Sequence, residues 1–279
     1  IRIERTQTAL TIAGMLSCEE DEATFQLTFE ERSKNVLAMT LTLDSEDFNQ
    51  VALHQLATVD EHFVGFGEQF SYLDLRGRAF PVIVEEGGVG RMGDIAEQFN
   101  ALVEGSGGTD YSTYAPMPYY MTSEGRAFLL ENDEVTYFDL TQQDRAIARV
   151  RGKELRALLL FGEEPADVIE ELTAITGRMA KLPAWIHKGA VIGMQGGTAR
   201  VCEVLSQLEA QDTPLAAFWL QDWVGKRATP FGSRLWWNWQ LNTTHYPEFT
   251  QLVADLKAKG ARVLTYVNPF LVDVAGQSQ

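Results

Sequence analysis

From Ile1 to about residue 160, apolar and polar positions alternate with a period of two. The runs Ala23-Thr-Phe-Gln-Leu-Thr-Phe, Val36-Leu-Ala-Met-Thr-Leu-Thr-Leu and Glu154-Leu-Arg-Ala-Leu-Leu-Leu-Phe carry the pattern, and polar or Gly-bearing turns separate them. Alternation of this kind puts one set of side chains on one face of a strand, so a succession of such runs predicts an antiparallel sandwich. Residues 94–102 read as a helix within it. A second helix is expected over 164–179, with Pro165 near its start and Val168, Ile169, Leu172 and Ile175 as its apolar stripe. Ala180-Lys-Leu-Pro-Ala-Trp then marks a boundary, giving an N-terminal sandwich with its linking helix over 1–181 and a different segment over 182–279.

Past that boundary the period changes. Gly189-Ala-Val-Ile-Gly-Met, Leu215-Ala-Ala-Phe-Trp-Leu and Arg262-Val-Leu-Thr-Tyr-Val are near-continuous apolar runs, and helical patterns at 198–208 and 247–258 stand between them. Buried strands alternating with amphipathic helices form parallel sheets. A closed eight-unit barrel needs roughly 250 residues, far more than follow Pro183. The segment is therefore expected to be the first three β/α units of a (β/α)8 TIM barrel, incomplete here, with a small open α/β domain as the other reading.

Charge narrows the partners. A formal net charge of −16 excludes nucleic acid and anionic membrane as natural partners, since phosphate surfaces bind through fields of Lys and Arg. A small anionic ligand remains compatible if a local basic pocket receives it. No apolar run approaches the ~18 to 20 residues of a membrane span, so no membrane insertion is expected and a cytoplasmic location is the working expectation. A removed leader upstream of Ile1 and a homo-oligomer both stay open. Cys18 and Cys202 fall in different segments and read as ordinary buried thiols. The four histidines lack metal-ligand spacing, and neither metal nor cofactor is expected. Gly88-Val-Gly-Arg-Met-Gly fits a dinucleotide-binding fingerprint, yet Glu85 and Glu86 put negative charge where a pyrophosphate would arrive, and a turn within the sandwich is preferred.

The connection after the second barrel-type strand is the most informative stretch. Five of the six tryptophans lie between Trp219 and Trp239, together with Lys226, Arg227 and Arg234 against Asp222. Flat indole faces suit sugar rings, and guanidinium forks match carboxylate, phosphate or sulfonate oxygens. Trp219, Trp236 and Trp239 are expected to pack the fold. Barrel enzymes place chemistry at the C-terminal ends of strands, which here are Gln195, Gln221 with Asp222, and Asn268. Amide side chains both donate and accept, as sugar hydroxyls require. Asp222 reads as a loop anchor before a general acid, because no second carboxylate partners it.

Gly65-Phe-Gly-Glu, Phe80-Pro with Gly88-Val-Gly-Arg, and Tyr114-Ala-Pro-Met-Pro-Tyr-Tyr-Met-Thr-Ser-Glu-Gly resemble the galactose mutarotase-like sandwich of family 31 glycoside hydrolases. Met194-Gln-Gly-Gly, Trp219-Leu-Gln-Asp-Trp, Phe231-Gly-Ser-Arg-Leu-Trp-Trp-Asn-Trp and Thr265-Tyr-Val-Asn-Pro-Phe are similar to the bacterial sulfoquinovosidases of that family. The resemblance implies a retaining α-glycosidase acting on α-sulfoquinovosides such as sulfoquinovosyl glycerol, with a small anionic sugar glycoside as partner. It implies that Arg234 and Trp237 hold the sulfonate and that Gln195 and Gln221 contact sugar hydroxyls. The family's two catalytic aspartates are expected on later barrel strands, so no catalytic residue is assigned within this sequence. A family 31 α-glucosidase or α-xylosidase on neutral sugars, and a non-catalytic carbohydrate-binding protein ending at Gln279, are the alternatives.

Overall fold

The structure, a computed structural model, describes residues 1–18, 21–45, 47–85, 87, 93–102, 107–230, 232–269 and 271–272. The chain forms two compact units, Ile1–Arg178 and Met179–Gln279. The first contains β1 (Arg2–Arg5), β2 (Ala9–Cys18), β3 (Asp21–Ser33), β4 (Val36–Asp44), β5 (Val51–Leu56), β6 (Phe63–Gly67), β7 (Ala79–Val82), α1 (Asp94–Leu102), β8 (Pro116–Thr122), β9 (Arg126–Leu130), β10 (Thr136–Asp139), β11 (Arg145–Val150), β12 (Glu154–Phe161) and α2 (Pro165–Thr176). Its strands form an eight-stranded sheet ordered β1-β2-β3-β4-β12-β9-β8-β6 and a four-stranded sheet ordered β5-β11-β10-β7. Every pairing is antiparallel.

Strand β12 shows how the sequence builds this unit. It lies between β4 and β9, with Leu160 opposite Val36 and Glu154 opposite Thr42. Leu155 and Ala157 enter the core shared with Phe66, Phe80, Phe138 and Val150 between the sheets, whereas Leu158 and Leu160 point the other way, against Val168 and Leu172 of α2. Successive side chains alternate across a strand, so covering both faces demands the nearly unbroken apolar run 157–160. Helix α2 opens with Pro165, and Asp167 Oδ2 accepts the amides of Glu163 and Glu164. It ends at Thr176, short of the expected 179, because Gly177 turns to φ 83°.

The end of β6 is the tightest point of the unit. Gly65, Phe66 and Gly67 have φ of 126°, 63° and 81°, and the ladder to β8 slips between Gly65 and Gly67. A side chain on Gly67 would run into the Ala115 carbonyl, while the twist drops Phe66, fully buried, onto Phe80 and Phe138 at 4.9 and 5.0 Å. Of the expected glycine fingerprint, residues 88–92 lie outside the described residues.

The second unit begins with a 3₁₀ turn, Ala184–Lys188, followed by β13 (Ala190–Met194), α3 (Gly197–Ala210), β14 (Leu215–Leu220), β15 (Lys226–Thr229), β16 (Gly232–Leu235), α4 (Phe249–Ala258) and β17 (Arg262–Thr265). Strands β13, β14 and β17 make a parallel sheet in that order. Its core joins Phe218 and Leu220 to Val201 of α3 and to Leu252 and Leu256 of α4. Cys202, expected to be buried, is exposed on α3, because α3 turns Val201 inward and its neighbour outward. Among the described residues no helix is long and apolar enough to cross a membrane.

Candidate functional site

Parallel strands deliver their C-terminal residues to one edge, and here that edge gathers Gln195, Gln221 and Tyr266. The backbone sets their order: the Gln221 amide donates to the Met194 carbonyl at 3.0 Å and the Tyr266 amide to the Leu220 carbonyl at 3.2 Å. Gln195 Nε2 donates to Gln221 Oε1 at 2.9 Å, leaving each amide with groups free to meet a ligand.

The connection after β14 is an ordered device. Residues 226–229 and 232–235 pair as the antiparallel hairpin β15–β16, with Arg227 opposite Arg234. Lys226, Arg227 and Arg234 are all exposed, and none forms an ion pair with a described carboxylate. Like charges directly opposite on a hairpin oppose its pairing, which an anion between or beside them would relieve. Trp237, just past β16, sets its ring 4.9 Å from Tyr266, and Trp219 meets the same ring at 5.8 Å. Trp223 Nε1 donates to the Tyr266 carbonyl at 2.7 Å. The expectation that Trp239 packs the fold is corrected: it is 48% exposed and its Nε1 donates to the Asn268 carbonyl at 2.8 Å. Past the hairpin the backbone at Trp239 takes the left-handed conformation, φ 55°, and the ring stands outward. Trp219 and Trp236 are half-buried, and Trp236 Nε1, itself buried, donates to no described acceptor.

Beneath the glutamines lies Asp222, fully buried. Its Oδ2 accepts the Gly196 amide at 2.8 Å and contacts His245 Nε2 at 2.6 Å, and its Oδ1 accepts the Tyr246 hydroxyl at 2.6 Å. Burial pushes its carboxyl up, but the hydrogen bonds from Tyr246, His245 and Gly196 outweigh that and hold it below the usual carboxylate range. Burial and the same carboxylate push the Tyr246 hydroxyl up. Asp222 is thus an anchored anion and has no proton to donate. No three His, Cys, Asp or Glu side chains converge to hold a metal among the described residues.

No model of a known protein family matches the sequence. Individual proteins do. The chain is 37% identical over 235 residues to a sulfoquinovosidase of Agrobacterium fabrum, a match covering 84% of this chain and 35% of that protein. It is 33% identical over 254 residues to the Escherichia coli sulfoquinovosidase, covering 89% and 37%. Among solved structures, a GH31 family sulfoquinovosidase from E. rectale in complex with an aza-sugar inhibitor superposes with a TM-score of 0.85 at 27% identity, over 97% of this chain and 39% of that one. Over most of its length the chain is thus similar to GH31 glycoside hydrolases. It spans little more than a third of the length of these GH31 relatives, and the E. rectale match runs through both compact units.

Of the four residues singled out from the sequence, the fold joins Gln195 to Gln221 directly and seats Trp237 on Tyr266, which follows the strand beside Gln221. Arg234 lies on the hairpin three residues before Trp237. Sequence reasoning passed over Tyr266, His245 and Tyr246. Tyr266 ends an apolar run like the glutamines do, and reading that strand end two residues earlier than Asn268 finds it.

Proposed function

We propose that the chain is the N-terminal part of a retaining α-glycosidase that hydrolyses α-sulfoquinovosides, its three-stranded parallel sheet being the start of a (β/α)8 barrel. The observation that carries this reading is the cationic hairpin: a chain of net charge −16 sets Lys226, Arg227 and Arg234 together, without described carboxylate partners, directly after the strand end bearing Gln221. A sulfonate is anionic at every accessible pH, so a permanent guanidinium charge is its fitting receptor. Arg234 supplies that charge and Trp237 an indole N–H and ring face. Gln195 and Gln221 take the sugar hydroxyls, and their mutual hydrogen bond fixes which amide edge each presents.

The catalytic carboxylates are assigned outside residues 1–279. In the complete enzyme one carboxylate attacks the anomeric carbon to form a glycosyl-enzyme, and the second protonates the leaving oxygen and then deprotonates water, the pair standing ~5 to 5.5 Å apart. The two relatives' name, sulfoquinovosidase, supports this substrate. Assay of the full-length protein on p-nitrophenyl α-sulfoquinovoside and p-nitrophenyl α-glucoside tests it. A kcat/KM strongly favouring the sulfonated substrate is expected; a preference for the glucoside overturns the reading.

A further inference from the structure

We infer that Asp222, with its partners His245 and Tyr246, is the positioning centre of this site: it sets Gln195 and Gln221 together and ties both to the base of the cationic hairpin. The inference deepens the function proposed above and rests on it for the roles of the glutamines.

The bonds of Asp222 end where they matter. Gly196, whose amide it accepts, directly follows Gln195, and Asp222 itself directly follows Gln221. One buried carboxylate therefore controls the backbone of both residues that form the amide pair. The loop carrying its other two partners is fastened at both sides. The Thr198 amide donates to the His245 carbonyl at 3.3 Å and Thr198 Oγ1 to the Pro247 carbonyl at 3.0 Å, tying that loop to the start of α3. Asn242 Oδ1 accepts the His245 amide at 2.9 Å, and the Asn242 amide donates to the Trp223 carbonyl at 3.0 Å. The Asp222 carbonyl accepts the Gly225 amide at 2.9 Å, and the Gly225 carbonyl accepts the Trp236 amide at 3.0 Å, which closes the base of β15–β16. Displacing Asp222 thus moves the hydroxyl contacts and the anion contact relative to each other. Misplacement of a positioned group by about an ångström costs on the order of a hundredfold in rate.

The test uses the full-length protein. Tyr246→Phe removes one donor and retains the ring, which stands edge-on to His245 and Phe249 at 5.2 and 5.9 Å. His245→Leu removes another donor, and His245→Gln restores an N–H. Tyr246→Phe and His245→Leu are expected to raise KM about tenfold with a smaller change in kcat, and His245→Gln to recover most of the loss. In a Gln195→Ala background the Tyr246→Phe effect should shrink, since part of the network's action passes through that residue. Equal effects of Tyr246→Phe in both backgrounds overturn the inference. Kinetics are read on whichever of the two glycosides the wild type hydrolyses, because the hydroxyls contacted are common to both. Hydrogen exchange supplies an arm independent of turnover: faster exchange of the Gly196 and Gln221 amides in Tyr246→Phe is expected, and unchanged exchange overturns the inference. A glucoside preference of the wild type defeats the substrate proposal and leaves this test intact.

Discussion

Arg234 and Arg227 face each other across two antiparallel strands, a pairing that a stability argument alone disfavours. Arg234 is exposed and carries no described ion pair, so its removal releases repulsion within the hairpin while deleting a receptor for an anion. The two effects separate in measurement. Arg234→Ala is expected to lower kcat/KM for an α-sulfoquinovoside on the order of a hundredfold and to leave the thermal midpoint unchanged or slightly raised. Arg234→Lys should recover only part of the activity, since an ammonium lacks the bidentate fork. An unchanged kcat/KM in Arg234→Ala rejects the role. Asp222 is the contrasting residue: lacking a second carboxylate, it reads from the sequence as a loop anchor, and the structure shows what it anchors, namely Gly196, His245 and Tyr246.

At the scale of elements, Arg126 of β9 clamps the two sheets of the first unit. Its Nε and Nη2 donate to Glu61 at 2.7 and 2.8 Å, and Nη2 also donates to the Leu56 carbonyl of β5 at 2.5 Å. Glu61 is 1% exposed. Arg126→Ala leaves that carboxylate buried without its counter-charge and is expected to cost about 3 to 5 kcal/mol, measured by urea denaturation; Arg126→Ala with Glu61→Gln should recover part of it. The elements differ in how far the sequence discloses them. Residues 94–102 and 215–220 coincide with α1 and β14, because an amphipathic stripe and a buried run are each local patterns. The hairpin β15–β16 escaped notice: Lys-Arg-Ala-Thr and Gly-Ser-Arg-Leu are polar on both faces, so no period marks them as strands. The union of Gln195 with Gln221 was legible as shared strand-end position, whereas the clamp under them joins segments more than twenty residues apart and exists only once three loops meet.

For the molecule as a whole, acid is the condition that attacks both units at their buried carboxylates. Burial pushes Glu61 up, but hydrogen bonds from Arg126 and Thr122 and the guanidinium charge hold it below its ordinary value, as Asp222 is held by its own partners. A carboxyl more acidic in the native state than in the unfolded chain contributes stability in full above the unfolded value, about pH 4, and loses it as pH falls through the native one. The unfolding free energy is therefore expected to be flat from pH 7 to about 5 and to fall below about 4, and Glu61→Gln should flatten that fall in the first unit. Denaturant titrations at pH 7, 5 and 3.5 read it, and a stability that rises toward pH 3.5 contradicts it. The register of the large sheet bears on time as well. Strand β4 ends at Asp44, and its partner β12 does not begin until Glu154. At a synthesis rate of about 5 to 20 residues per second, the nascent strand waits on the order of ten seconds at the ribosome before that partner is made. During the wait it holds β3 by a local hairpin but presents an unpaired edge, so the first unit closes late and all together, and the interval between two ribosomal positions becomes the period in which the growing polypeptide most needs a chaperone.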